Sequence, residues 1–100
     1  MGVNVKVPRK TLNEFCRRNQ IRKLLFFGSV LRDDFTDRSD VDVLVEFDEN
    51  AKIGLIGLAG LEIELSEILG RNVEMHTVKG LNRHFRTEVL KTAAVQYEQA

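Results

Sequence analysis

The sequence predicts an α/β fold, with a small β-sheet flanked by about four helices, and three features indicate it. Apolar residues recur at helical spacing in several segments, which predicts amphipathic helices. Short apolar runs end at glycine or at acidic residues, as strands commonly do. These segments alternate along a chain of 100 residues, which favours helices packed on a sheet. A chain of this length typically forms one domain, so we predict a single domain over residues 1–100.

The first half of the chain is predicted to contain one helix and two strands. Pro8 suits the first turn of a helix, and the apolar face that follows includes Cys16, which we expect in the core. The run at residues 24–27 is continuously apolar and ends at Gly28, as expected of a strand buried on both faces. The helix is predicted over residues 8–19, the first strand over residues 24–27 and the second strand over residues 41–47. Between the strands, residues 29–34 are predicted to form a short helical turn and residues 33–38 a polar loop.

The second half is predicted to contain two helices around a third strand. Leucines recur at helical spacing from Leu55 to Leu69, so most of them are expected in the core, with some available to a partner. Gly70 is a suitable stop for this helix. In the last helix, Phe85 and Val89 are expected to face the core, with Leu90 as a further candidate. The first of these helices is predicted over residues 55–69, the third strand over residues 72–78 and the last helix over residues 81–94.

The composition argues against several classes of protein. Fifteen basic residues balance fifteen acidic ones, for zero formal net charge, whereas avid non-specific binding to nucleic acid requires clustered Lys and Arg. No apolar run approaches the roughly 18 residues of a membrane span, and the N-terminus lacks the plan of a signal peptide. Cys16 is the only cysteine and cannot form an intrachain disulfide, which fits a reducing compartment. We therefore expect a soluble cytoplasmic protein that makes no membrane contact.

Two carboxylates on the second strand form the most informative motif. Side chains alternate between the two faces of a strand, so Asp40 and Asp42 point to the same side. Two rises of about 3.3 Å separate their Cβ atoms by about 6.6 Å, so both side chains can bind hard cations that lie between them. Magnesium prefers oxygen ligands and usually keeps waters or substrate phosphates as the others. The strand therefore predicts a site for phosphoryl transfer, in which two ions could stabilise the attacking and leaving oxygens.

The turn after the first strand supplies groups suited to a triphosphate. Gly28 allows the backbone to approach phosphates closely and to turn sharply. Ser29 begins a helical turn whose free N–H groups and hydroxyl can bind phosphate oxygens. Arg32, one turn later, could contact a phosphate or the sugar, although an ion pair with a nearby aspartate is the alternative.

The third strand offers a further acidic ligand. Glu74 and His76 share one predicted face, which can point at the aspartates if the second and third strands are neighbours. Val73 and Met75 would then pack on the opposite face. An exposed strand glutamate is the alternative for Glu74. His76 and the chain's other histidine lack the cysteine partners or helical spacing of a zinc site, so both are expected to be structural or exposed.

The motif formed by Gly28-Ser29, Arg32 and Ser39-Asp40-Val41-Asp42 resembles the signature of the minimal nucleotidyltransferases, a branch of the polymerase-beta-like superfamily. The resemblance continues through the leucine-rich helix to the last helix. It implies a mixed-sheet nucleotidyltransferase fold, Mg²⁺, and a nucleoside triphosphate, most often ATP, as substrate. The catalytic and metal-binding residues that it implies are Asp40, Asp42 and Glu74. The nucleotide-binding residues that it implies are Gly28, Ser29, Arg32 and Ser39.

Proteins of this branch often resemble the antitoxin half of a pair whose toxin is a small helical HEPN protein. The resemblance implies that this chain adenylylates such a toxin on a tyrosine, and it leaves homo- and hetero-oligomers open. Glu74 stands where the family usually has Asp, and Asp33 where it often has Gly. The first departure supports an alternative, a weak or inactive transferase that neutralises its partner by occlusion. A nucleotide-binding regulatory subunit or an RNA acceptor is a further alternative, and the zero net charge argues against RNA.

Overall fold

The computed structural model describes residues 5–31, 36, 39–78, 80 and 83–99, without the side chains of Ser29, Phe85 and Arg86. Within these ranges the chain forms three α-helices, four strands and one 3-10 turn. In chain order they are α1 (Arg9–Arg18), β1 (Ile21–Phe27), the 3-10 turn (Gly28–Leu31), β2 (Val41–Phe47), α2 (Leu55–Leu69), β3 (Val73–Thr77), α3 (Arg83–Thr92) and β4 (Ala94–Glu98). The predicted α/β fold is confirmed.

The strands form one mixed sheet in the order β3-β2-β1-β4. β2 and β3 run parallel, whereas β1 pairs antiparallel with both β2 and β4. Helices α1 and α2 pack on one face of the sheet and α3 packs on the other. Because side chains alternate along a strand, Val43 of β2 packs toward α1 and α2, while its neighbour Leu44 packs toward α3. The sheet therefore separates two apolar clusters.

The larger apolar cluster lies between the sheet and helices α1 and α2. Its fully buried members include Leu12, Phe15, Cys16, Leu24, Phe26, Val30, Val41, Val43, Val45 and Leu65. The smaller cluster comprises Leu25, Phe27, Leu44 and Val89. Cys16 lies in the core as predicted, and burial raises the pKa of its thiol to about 12. The strand at residues 24–27 is buried on both faces, also as predicted.

Several element boundaries agree with the sequence. The strand at residues 41–47 and the helix at residues 55–69 match to the residue, and Gly70 ends α2 with a left-handed φ of 68°. The predicted helix 8–19 and strand 72–78 are each one residue longer at both ends than α1 and β3. The predicted helical turn is observed at Gly28–Leu31. The predicted loop at residues 33–38 lies largely outside the described residues.

The C-terminal segment differs from its prediction. Helix α3 ends at Thr92, and the next residues form β4, a strand that the sequence did not predict. Val89 is buried as expected, but the core position considered for Leu90 is wrong, because Leu90 is 49% exposed. The side chain of Phe85 and the predicted helix start at residue 81 lie outside the described residues. β4 has only five residues and pairs with β1 alone, so its local pattern is too short to outweigh a helical continuation.

The leucine stripe of α2 is only partly core. Leu61, Leu65 and Leu69 are buried at four-residue spacing against the sheet. The core position expected for Leu55 is wrong, because its side chain is 87% exposed on the first turn of the helix. That turn lies ahead of the buried stripe and contributes no buried residue. No helix in the described ranges is long and apolar enough to cross a membrane.

Candidate active site

The register of the two parallel strands brings two predicted acidic residues together. Asp42 of β2 is the partner of Glu74 of β3. Alternation directs both side chains to the α3 face of the sheet, since Val73 and Met75 are buried in the cluster on the other face, as predicted. The expectation that the second and third strands are neighbours is confirmed. Two carboxylates therefore face each other across adjacent strands.

His76 completes a group of three side chains. Its Nε2 atom lies 3.9 Å from Oδ1 of Asp42 and 3.9 Å from Oε1 of Glu74. One ligand atom from each of the three residues lies within 4.8 Å of the others. The imidazole packs against the ring of Phe27 in a T-shaped arrangement, with 5.4 Å between centroids and 60° between planes. The position of His76 two residues after Glu74 was the only sequence signal for this proximity, and it did not distinguish a site residue from a structural one.

The glycine turn contacts the same carboxylate. Gly28 follows β1 directly, and the last residue of β1 pairs with Asp42. A Cβ atom on Gly28 would lie 2.5 Å from Oδ2 of Asp42, closer than real side-chain contacts allow. The φ of Gly28 is 77°, a left-handed value that favours glycine. Both the backbone angle and the close approach therefore require a residue without a side chain at the position where the turn meets Asp42.

Asp40 is separate from this group within the described residues. It precedes β2 and is exposed, and the group of ligand atoms around His76 does not include it. The preceding residue, Ser39, closes a local turn, because the N–H of Thr36 donates to its Oγ at 3.0 Å and its own N–H donates to the carbonyl of Thr36 at 3.0 Å. The predicted nucleotide contact Arg32 and the side chain of Ser29 lie outside the described residues.

Helix α2 holds the outer edge of β3. The N–H of Val73 donates to Oγ of Ser66 at 3.0 Å, and the N–H of Met75 donates to Oε2 of Glu62 at 2.7 Å. β3 is an outer strand of the sheet, so these side chains satisfy backbone donors that would otherwise lack a strand partner. They hold the strand that carries Glu74. The helical pattern predicts only a polar helix face for Glu62, so this role was missed at the level of sequence.

The donor set fits a divalent cation. Carboxylate oxygens are the ligands that Mg²⁺ prefers, and a neutral imidazole nitrogen binds borderline transition ions. Asp42 and His76 are about a quarter to a third exposed, whereas Glu74 is more than half exposed. An ion could therefore enter from solvent. The arrangement can bind a cation directly beside the glycine turn, where a phosphate group could share it.

Comparison with known proteins identifies the family. Residues 8–96 match the nucleotidyltransferase domain. A candidate protein adenylyltransferase of Methanocaldococcus jannaschii is 28% identical over 91 residues, which are 91% of this chain and 96% of that protein. A second candidate protein adenylyltransferase of the same organism is 35% identical over 72 residues, which are 72% of this chain and 67% of that protein.

Solved structures agree with this assignment. The structure of a candidate minimal nucleotidyltransferase is 33% identical, superimposes with a TM-score of 0.71, and the match covers 85% of each chain. A toxin–antitoxin complex determined with AMP-PNP shares the fold at 16% identity, with a TM-score of 0.75 over 93% of this chain and 75% of that one. The predicted resemblance to minimal nucleotidyltransferases is therefore confirmed. The chain belongs to the nucleotidyltransferase domain family.

Proposed function

We propose that this protein is a Mg²⁺-dependent enzyme that transfers AMP from ATP to a hydroxyl group of a partner protein. One observation carries the proposal. The carboxylate of Asp42 lies against the backbone of Gly28 and opposite Glu74 of the neighbouring strand. A carboxylate beside a glycine turn suits a metal-bound triphosphate, because the cation must contact both the acid and the phosphates.

Each site residue has a proposed role. Asp42 and Glu74 would hold the cation, with Asp40 as a further carboxylate from the residue before β2. Two bound Mg²⁺ ions would neutralise charge on the triphosphate. The turn that begins at Gly28 would bind phosphate oxygens through its backbone N–H groups. The remaining proposed nucleotide contacts are Ser29, Arg32 and Ser39.

The proposed reaction exchanges one phosphorus–oxygen bond for another. The acceptor oxygen forms a bond to the α-phosphorus of ATP, and the bond between that phosphorus and pyrophosphate breaks. The hydroxyl proton passes to solvent, and pyrophosphate leaves with the electron pair. The protein's contribution is to hold the two reactants in line and to stabilise the charge that develops, which is most of what phosphoryl transfer requires.

We propose a tyrosine of a small helical HEPN toxin as the acceptor, with this chain acting as the antitoxin. The candidate adenylyltransferases among its relatives support a protein acceptor. Solved complexes that share its fold are toxin–antitoxin pairs, and one contains AMP-PNP, an analogue of ATP. We further propose that residues 1–100 form one nucleotidyltransferase domain.

Co-expression with a small helical HEPN toxin, followed by intact-mass measurement of the toxin, tests the function. We expect one or more added AMP units on the partner from the wild-type chain and at least about a 100-fold slower transfer from Asp42→Asn. Glu46→Gln is the matched control, because Glu46 lies on the same strand and pairs with Arg22 away from the site. Asp40→Asn measures whether the exposed aspartate contributes. An unmodified partner in the presence of wild-type protein, ATP and Mg²⁺ would refute the proposal.

A growth assay separates chemistry from occlusion. Occlusion is the second candidate, because Glu74 stands where the family usually has Asp. If Asp40→Asn combined with Asp42→Asn still protects cells fully from the toxin, binding alone neutralises it. Loss of protection by a variant that still co-purifies with the toxin would instead support AMP transfer.

A further inference from the structure

We infer that His76 is a direct ligand of the cation held by Asp42 and Glu74, and that it raises the affinity of the site for divalent transition ions without raising its affinity for Mg²⁺. The inference deepens the proposed function, because it names a further protein ligand of the same cation. It rests on the distance of 3.9 Å from Nε2 of the imidazole to an oxygen of each carboxylate. It does not depend on which molecule accepts AMP.

The distances are too long for direct hydrogen bonds and short enough for a shared ion. Nε2 of His76 lies 3.9 Å from an oxygen of Asp42 and 3.9 Å from an oxygen of Glu74. A hydrogen bond between such atoms is about 2.7–3.2 Å long, so neither separation is a hydrogen bond. Two ligands that are each about 2.1 Å from one ion lie at most about 4.2 Å apart. Both separations are therefore compatible with a cation that His76 shares with each carboxylate, and the ligand atoms of the two carboxylates lie within 4.8 Å of each other.

The surroundings of His76 limit the movement of its ring. The imidazole packs in a T-shaped arrangement on Phe27, which is only 5% exposed and belongs to the cluster under α3. A ring that is already oriented loses less conformational freedom when it binds a metal. The backbone of β3 is held at its outer edge by α2 through Met75, the residue immediately before His76. The side chain of His76 is 30% exposed, which leaves it accessible to an ion.

The nitrogen ligand determines the expected selectivity. Mg²⁺ dehydrates reluctantly and is bound almost entirely by oxygen. Imidazole is a good ligand for Zn²⁺, Ni²⁺ and other first-row transition ions, and their affinities for mixed nitrogen and oxygen sites exceed that of Mg²⁺. A site with two carboxylates and one imidazole should therefore bind such ions more tightly than two carboxylates alone. The gain should disappear when the nitrogen is removed.

Metal titration of the full chain without nucleotide tests the inference. We expect His76→Val to weaken Co²⁺ binding at least tenfold while changing Mg²⁺ binding less than twofold. His84→Val is the matched control, because His84 is the other histidine and is exposed on α3, and it should change neither affinity. His76→Gln provides a second variant with a polar side chain, and thermal melting of each variant checks that it folds.

A spectroscopic measurement on the wild-type protein makes the test independent of any variant. Pulsed electron paramagnetic resonance of the Mn²⁺-loaded chain should show coupling to an imidazole nitrogen. Absence of that coupling, or a Co²⁺ affinity of His76→Val within twofold of wild type, would overturn the inference. Nitrogen coupling in a protein that transfers no AMP would support this inference and count only against the proposed function.

Discussion

Replacing Gly28 with alanine tests whether the glycine turn holds Asp42 in its working position. The added methyl would lie 2.5 Å from Oδ2 of Asp42, whereas ordinary contacts begin near 3.4 Å. The carboxylate must therefore retreat by about 0.9 Å, because it is the more mobile partner. A misplacement of about 1 Å in a catalytic group can slow a reaction about 100-fold. We expect a loss of metal-dependent activity of that order.

Gly70→Ala is a matched control for the backbone strain. Gly70 also has a left-handed φ, 68° against 77° for Gly28. Apart from its neighbours in the chain, no atom of the described residues lies within 4 Å of the point that a methyl group would occupy there. Left-handed backbone costs a non-glycine residue roughly 1–2 kcal/mol. Each substitution should therefore lower the free energy of unfolding by about that amount, or the melting temperature by about 4–8 °C per kcal/mol. Only Gly28→Ala should also impair the site.

Thermal melting and metal titration of the two variants, followed by AMP-transfer rates, provide the measurement. The expected result is similar destabilisation of both variants, with weakened metal binding and transfer in Gly28→Ala alone. Equal metal affinity and equal transfer rates in the two variants would show that the contact with Asp42 does not position the carboxylate. The backbone angle alone would then account for the glycine at position 28.

Three further predictions concern stability and reactivity. In urea denaturation, Leu65→Ala should lower the free energy of unfolding by about 2–5 kcal/mol because Leu65 is fully buried. Its control, Ile56→Ala, should change that free energy by less than about 0.5 kcal/mol, because Ile56 is 91% exposed. Cys16 should resist alkylation between pH 7 and 9 until the protein unfolds, because burial raises the pKa of its thiol to about 12; rapid labelling of folded protein would contradict this. Glu62→Ala should cost about 1–3 kcal/mol and speed hydrogen exchange at the Met75 amide, while Glu62→Gln, which keeps an acceptor oxygen, should cost less.

Much of the fold could be predicted because its central elements have strong local patterns. The strand at residues 41–47 alternates around buried valines, and α2 repeats leucine every three or four residues. Both patterns describe how a segment contacts one core. β4 could not be predicted in this way, because its five residues become a strand by pairing with β1. The exposure of Leu55 likewise depends on which part of α2 packs on the core, which no local pattern records.

For the site, the sequence by itself determined which residues can share a face, because side chains alternate along a strand. It therefore identified Asp42 and Glu74 as possible neighbours and Gly28 as the end of the preceding strand. Only the tertiary structure decided that β2 and β3 pair in parallel with these acids opposite each other, and that Gly28 touches the carboxylate of Asp42. The same pairing brought His76 to the carboxylates. Register between strands distant in sequence is a property of the packed sheet, so these distances exist only in the folded chain.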